Sequence, residues 1–357
     1  MTYLKNFKQL SLVIALSMSL VACNDSNNDQ DQKNVVQTPV VTPSASIALQ
    51  VFDNSTGIQL TTAKVSVLNT ALSADTDAEG KAELKKVTVG RTVLKISKAG
   101  YADQFITVDL VDKQELSGLL VQLIPLQLGG TVSDATGGTV TLMGSTAQVI
   151  ISPNSLKRAD GQAIQGNVSV SFALINTAQE IRNMPGDLST QINNVRSPLE
   201  SFGAMIVDLR DSTGAKVELI ANQLANIRIP LMARGTPPST IPLYYFDSQR
   251  GDWLQDGTRV LTLQSDTNGN RFYTGSSTTL DTVNADIPYQ TTNVTGCLAE
   301  ANGKRVANAQ ILLEGKNYSG YSTVKTNANG EFTILAKQNS IVLINGQNNN
   351  LRSNTVE

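Results

Sequence analysis

The sequence predicts an all-β protein: tandem β-sandwich modules behind a short export segment and a polar linker. Three observations carry this. Beyond the first two dozen residues no window sustains a helical period. Short runs alternate apolar and polar side chains instead, as in Ile106, Val108 and Leu110 around Thr107 and Asp109, and in Leu119, Val121 and Leu123 around Leu120 and Gln122. Turn dipeptides fall between the runs: Thr56-Gly57, Glu79-Gly80, Asp160-Gly161 and Asn329-Gly330. Short strands separated by regular turns are the pattern of sandwiches.

Taken in order, the chain begins with Lys5 and Lys8 and no acid, followed by an apolar or small stretch from Leu10 to Ala22. An apolar core of about a dozen residues is too short to span roughly 30 Å of hydrocarbon as a helix, and reads as a secretion signal. Its end, Leu20-Val21-Ala22-Cys23, resembles a bacterial lipobox. The resemblance implies cleavage between Ala22 and Cys23 and acylation of Cys23, with the lipid bilayer as the first partner. Two or three acyl chains anchor durably where one does not. The segment from Asn24 to Ser44 is polar, acidic and closed by two prolines. It cannot bury enough apolar surface to order itself, and as a flexible tether it would reach roughly 25 Å. In enterobacterial lipoproteins Asp directly after the acylated Cys favours the inner membrane. Asn24 holds that place here, so the outer membrane of a Gram-negative envelope is favoured.

An internal repeat organises the remainder. Thr56-Gly57 leads at fixed spacing to Ala63, Val65 and Val67, and Asn302-Gly303 leads at the same spacing to Ala309, Ile311 and Leu313. Thr76-Asp77-Ala78-Glu79-Gly80 is echoed by Thr326-Asn327-Ala328-Asn329-Gly330. With Lys98-Ala99-Gly100-Tyr101 and a closing strand through Leu123-Ile124-Pro125, the first copy resembles the carboxypeptidase regulatory-like domain. That family implies an Ig-like, transthyretin-like sandwich of seven strands and a noncatalytic accessory role. The second copy matches its first half, with no counterpart to the last strand. The middle region, through Gly129-Gly130-Thr131-Val132, Ile151-Ser152-Pro153-Asn154, Leu199-Glu200-Ser201-Phe202-Gly203 and Pro242-Leu243-Tyr244-Tyr245-Phe246-Asp247, is similar to the ectodomain of cartilage intermediate layer protein and its relatives, which implies extracellular interaction. The expected organisation is a signal peptide at 1–22, lipidated Cys and linker at 23–44, a first module at 45–126, a larger β-rich domain at 127–292, and an incomplete second module at 293–357.

Composition narrows the function classes. The 357 residues hold 28 Lys+Arg, 30 Asp+Glu and no histidine. That excludes Ser-His-Asp and Cys-His catalysis and imidazole metal sites. A net charge of −2 and the lack of a basic face argue against nucleic acid as a partner. Removal of Lys5 and Lys8 leaves 26 basic against 30 acidic residues, a mature charge of −4. With Cys23 acylated, Cys297 has no intramolecular partner and reads as an inert strand residue.

Each chemical candidate has a plainer reading. Asp75 to Gly80 matches the opening of a calcium loop, but Lys86 stands where a bidentate Glu is needed, so a hairpin turn explains it better. Ser322 and Lys325 have the spacing of a serine–lysine dyad. On a strand that odd spacing sends them to opposite faces. Tyr244, Tyr245 and Trp253, beside the turn Asp247 to Asp252, could form a glycan or peptide platform, or could fill a core. They are the candidate binding residues. Gln179 to Pro198 is the longest stretch without strand character, a connector or a binding loop. The expectation is therefore no catalytic residue, metal or cofactor, and a protein or glycan partner. The alternatives are an assembly subunit completed by another chain's strand and a carboxylate hydrolase acting on envelope polymers.

Overall fold

The computed structural model describes residues 43–348 and 351–357, which form one compact unit. The signal segment, Ala22, Cys23 and the linker as far as Thr42 lie outside the described residues. The described chain is all-β: 26 strands and one single-turn 3-10 segment at Ile181–Asn183.

The first repeat copy builds two facing sheets. One has the order β4 (Lys81–Thr88), β1 (Ser44–Asp53), β7 (Glu115–Leu123). The other has the order β3 (Ser73–Asp75), β2 (Lys64–Val67), β5 (Gly90–Ser97), β6 (Gln104–Leu110). β1 shows why the sequence chooses this form. Its side chains alternate strictly, turning Ala45, Ile47, Leu49, Val51 and Asp53 inward. They meet Val65, Leu94, Ile96, Val121 and Leu123 in one core, and each large aliphatic side chain removed from water contributes about 1.5–3 kcal/mol. β7 closes the sandwich by running parallel to β1, with Leu119 opposite Leu49 and Val121 opposite Val51.

The middle region forms a 13-stranded sheet. Its strands are β8 (Gln127–Val132), β9 (Gly138–Thr141), β10 (Gln148–Ile151), β11 (Leu156–Arg158), β12 (Val168–Ile175), β13 (Ser189–Ile192), β14 (Val195–Arg210), β15 (Lys216–Leu219), β16 (Ala225–Pro230), β17 (Thr240–Asp247), β18 (Asp252–Ser265), β19 (Arg271–Ser277) and β20 (Thr282–Pro288). The main path runs β11-β15-β14-β20-β17-β18-β19-β16-β10-β9. The 16-residue β14 is its hub, pairing with β12, β13, β15 and β20.

The second copy repeats the first. β21 (Thr291–Cys297) pairs with β24 (Glu331–Lys337), as β1 pairs with β4. β23 (Tyr321–Lys325), β22 (Gln310–Gly315), β25 (Val342–Asn348) and β26 (Leu351–Arg352) form the facing sheet, in the order that β3, β2, β5 and β6 take. The likeness reaches single hydrogen bonds. Thr76 Oγ1 accepts from Ala63 N at 2.9 Å and donates to Leu60 O at 2.6 Å. Thr326 Oγ1 accepts from Ala309 N at 3.0 Å and donates to Val306 O at 2.7 Å. Gly80 and Gly330 turn both hairpins at φ of 71° and 72°, and a Cβ at either would strike a backbone oxygen within 3 Å.

Candidate functional site

Of the aromatic residues that could form a platform or fill a core, Tyr244 and Trp253 lie in the core. Trp253 is fully buried and Tyr244 is 3% exposed. Tyr245 is half-buried against the core of the middle sheet. The pairing of β17 with β18 sets Phe246 opposite Trp253, their rings edge-on at 5.4 Å, and Phe105 of the first module stacks on Phe246 at 4.9 Å. Tyr321 of the second copy joins the same cluster. The apolar faces of Phe246 and Trp253 are therefore used between modules, and Tyr245 alone of the three candidates keeps part of its surface. Burial first, and then the charge of Asp286, pushes the Tyr244 hydroxyl up to about 12.

The stretch Gln179 to Pro198 is structured rather than a loose connector, although its tip from Gln191 to Val195 is exposed. It contains Ile181–Asn183, β13 and the start of β14, and it buries Ile181, Met184 and Leu188 in the junction cluster. Its backbone acts as a clasp. Pro185 O accepts from Trp253 Nε1 at 2.9 Å, Gly186 N donates to Phe105 O at 2.9 Å, and Gly186 O accepts from Tyr321 Oη at 3.1 Å. Asn183 O accepts from Gln104 Nε2 at 3.0 Å. Gly186 holds φ at 73°, and a Cβ there would press on the Phe246 ring at 2.9 Å.

Around this clasp the three strand groups leave a cleft of about 560 Å³. The first module supplies Thr107, Asp109 and Glu115 to Ser117. The middle region supplies Asp187, Ser189 and Arg196, and the second copy supplies Asn308, Gln310 and Ser322 to Lys325. Hydroxyl, amide and charged groups share these walls with a somewhat larger apolar surface, to which Leu116, Val324 and Leu335 contribute. Thr107 Oγ1 is buried without a protein partner. Lys325 donates to Asp109 O and, at 2.6 Å, to Gln114 Oε1. Burial holds its ammonium below the usual lysine range, with the Asp109 charge opposing.

One end of the cleft is closed by a ring of alternating charge. Arg91 contacts Asp252 at 2.9 Å and Asp187 at 3.5 Å, while Arg196 contacts Asp187 at 3.2 Å and Asp252 at 3.1 Å. All four are partly buried, so the ring fixes the first module to the middle sheet more firmly than one exposed pair could. Neither ring nor cleft is legible in the sequence, because Arg91, Asp187 and Asp252 lie far apart in the chain and share no local motif.

The other candidates resolve structurally. Asp77 Oδ1 accepts from Glu79 N at 3.0 Å and Lys81 N at 2.8 Å, and Asn327 Oδ1 accepts from Asn329 N at 2.9 Å and Glu331 N at 3.0 Å. Both copies are side-chain-capped turns, so these oxygens are spent on backbone amides. Ser322 and Lys325 lie on β23, and the lysine is directed to the first module. Cys297 ends β21 as an exposed free thiol.

No family model matches the chain, and no curated protein matches it. Solved structures similar to it include the Bacillus anthracis TIE protein, at 10% identity and a TM-score of 0.21 over 85% of this chain. A streptococcal ancillary pilin is similar at 14% identity and a TM-score of 0.20 over 63% of this chain. The major pilin SpaD of Corynebacterium diphtheriae is similar at 11% identity and a TM-score of 0.20 over 85% of this chain and 86% of its own. The chain spans 45% of the first of these structures and 60% of the second. Values this low lend no function to the chain.

Proposed function

We propose that this chain is a noncatalytic, lipid-anchored envelope protein that presents packed β-sandwich modules for binding. Acylated Cys23 holds it to the membrane, with Asn24 favouring the outer one, the acidic linker lifts it clear of headgroups, and the three-module cleft receives a protein or glycan of the envelope. The cleft carries this reading: it is concave and lined from three sides by hydroxyl, amide, charged and apolar groups. A noncatalytic role is supported by two of its charged groups being held in structural pairs, Asp187 between two guanidiniums and Lys325 on a carbonyl and an amide oxygen.

Two measurements test the parts separately. Cys23→Ser is expected to abolish acyl labelling and release the protein from membranes; unchanged labelling overturns the anchor. A photo-crosslinking residue at Thr323, exposed on the cleft wall, is expected to capture a discrete envelope component that the same residue at Met143, exposed outside the cleft, does not. Equal capture at both positions removes the cleft from the function.

A further inference from the structure

The two repeat copies differ at one edge. In the first, β7 runs parallel to β1, and its Val121 and Leu123 are sealed in the core at 1% and 0% exposure. In the second, β21 pairs with β24 alone, and no strand among the described residues lies along its other edge. The core beside that edge is correspondingly open. Val294 and Leu298 stand where Ile47 and Val51 stand in the first copy, yet they are half-buried while Ile47 and Val51 are fully buried. Phe332, Val342 and Ile344, packed on the same small core, are half-buried too. The edge also lacks the usual protections: Thr291 to Cys297 contains no charged residue and no proline.

We propose that the free edge of β21 accepts one extended strand from a partner polypeptide, running parallel to β21 and carrying apolar residues at alternate positions. The first copy defines the occupant. Aligning the two β-ladders through their turn glycines sets Gly296 at the place of Leu49, Cys297 at that of Gln50 and Leu298 at that of Val51. The entering strand would therefore set apolar side chains opposite Gly296 and Leu298, as Leu119 and Val121 stand opposite Leu49 and Val51, and continue with a third two residues on. Backbone hydrogen bonds would give affinity and the half-open core would select the alternating side chains. The cleft is lined by residues of β23, β24 and β25 and by none of β21, so this acceptor edge stands or falls apart from it.

The test uses the full mature chain with Cys23→Ser, leaving Cys297 as its one thiol, and a synthetic nine-residue peptide with the sequence of Glu115–Leu123. Added peptide is expected to bind saturably, to slow amide hydrogen exchange over Thr291 to Cys297, and to bring a label at its centre, rather than one at its N-terminus, close to Cys297. Leu298→Asp in the protein, or Ser in place of Leu119, Val121 and Leu123 in the peptide, is expected to weaken binding by about tenfold or more, since each sets a polar group in an apolar seam. Joining the same nine residues through a flexible linker after Glu357 supplies the strand at high effective concentration, and is expected to protect the same amides and raise Tm. The proposal is overturned if neither the peptide nor the joined strand protects the β21 amides that face away from β24, if the Ser-substituted peptide protects them equally well, or if those outward-facing amides are already protected in the chain alone.

Discussion

Asp286 is the side chain of the middle sheet that is hardest to keep charged. It is wholly buried on β20, and neither carboxylate oxygen has a hydrogen-bond partner. Ser201, opposite it in register, donates its hydroxyl to Asn284 Oδ1 at 2.7 Å instead. Burial drives the Asp286 pKa well above the usual carboxylate range, and the nearby charge of Glu200 acts in the same direction. A folded-state pKa above the unfolded one makes the contribution of Asp286 fully favourable below its unfolded pKa, near 4. That contribution is lost as pH rises toward the folded value. Asp286→Asn removes the ionisation and keeps the shape. It is expected to stabilise the protein at pH 8 by about 1–3 kcal/mol, and to have almost no effect at pH 4. Thermal melts of both proteins across that range decide it, and an equal difference at both ends would show that ionisation is not the cause. Asp53 behaves oppositely. Although burial alone would raise it, hydrogen bonds from Ser55 and Tyr101 and from the backbone of Thr56 hold its carboxyl well below the usual range, so its contribution is retained at neutral pH.

At the scale of elements, what the sequence made legible was whatever is encoded locally. Period-two runs located β6 and β7, and the Thr-Asx-x-x-Gly motif located two hairpins whose Thr hydroxyls make equivalent bonds. Among the described residues no strand lies along β21 as β7 lies along β1. The repeat spacing does not reveal how the second copy is packed inside. Where the first copy pairs Leu49 with Ala82, the second pairs Gly296 with Phe332, a small residue traded across the ladder for a large one. A Cβ on Gly296 would meet the Phe332 ring at 2.6 Å, so the two substitutions depend on each other. The clasp at Gln179 to Pro198 was illegible for a physical reason. Its order comes from Phe105, Trp253 and Tyr321, which no local period of its own could announce. The aromatic cluster is legible in the sequence as apolar material near a turn, but its surroundings come from three distant segments, and only packing decides between platform and core.

Across the whole molecule, the modules are joined by buried apolar contacts and by paired charges. The first module meets the middle sheet through Val93, Phe105 and the charge ring. The second copy meets it through Tyr321, through Ser319 O accepting from Ser201 N at 2.8 Å, through Lys337 on Glu200, and through Arg234 on Glu314 at 2.8 Å. Trp253 sits where these contacts converge: its ring packs on Phe246, and its Nε1 fixes the clasp that itself grips Phe105 and Tyr321. Such coupling predicts one cooperative calorimetric transition for the native compact unit. Trp253→Ala would open a cavity and free the clasp together, a loss of about 3–5 kcal/mol. Because the core of the first module, around Ile47, Val51 and Leu94, does not include Trp253, that module is expected to keep its fold while the junction loosens. The variant should therefore melt in two separated transitions, with protease cleavage appearing first between Gln179 and Pro198. A single transition merely shifted to lower temperature would show that Trp253 supports the middle sheet alone, and that the modules are held together by the charge ring and the Glu200 and Glu314 pairs.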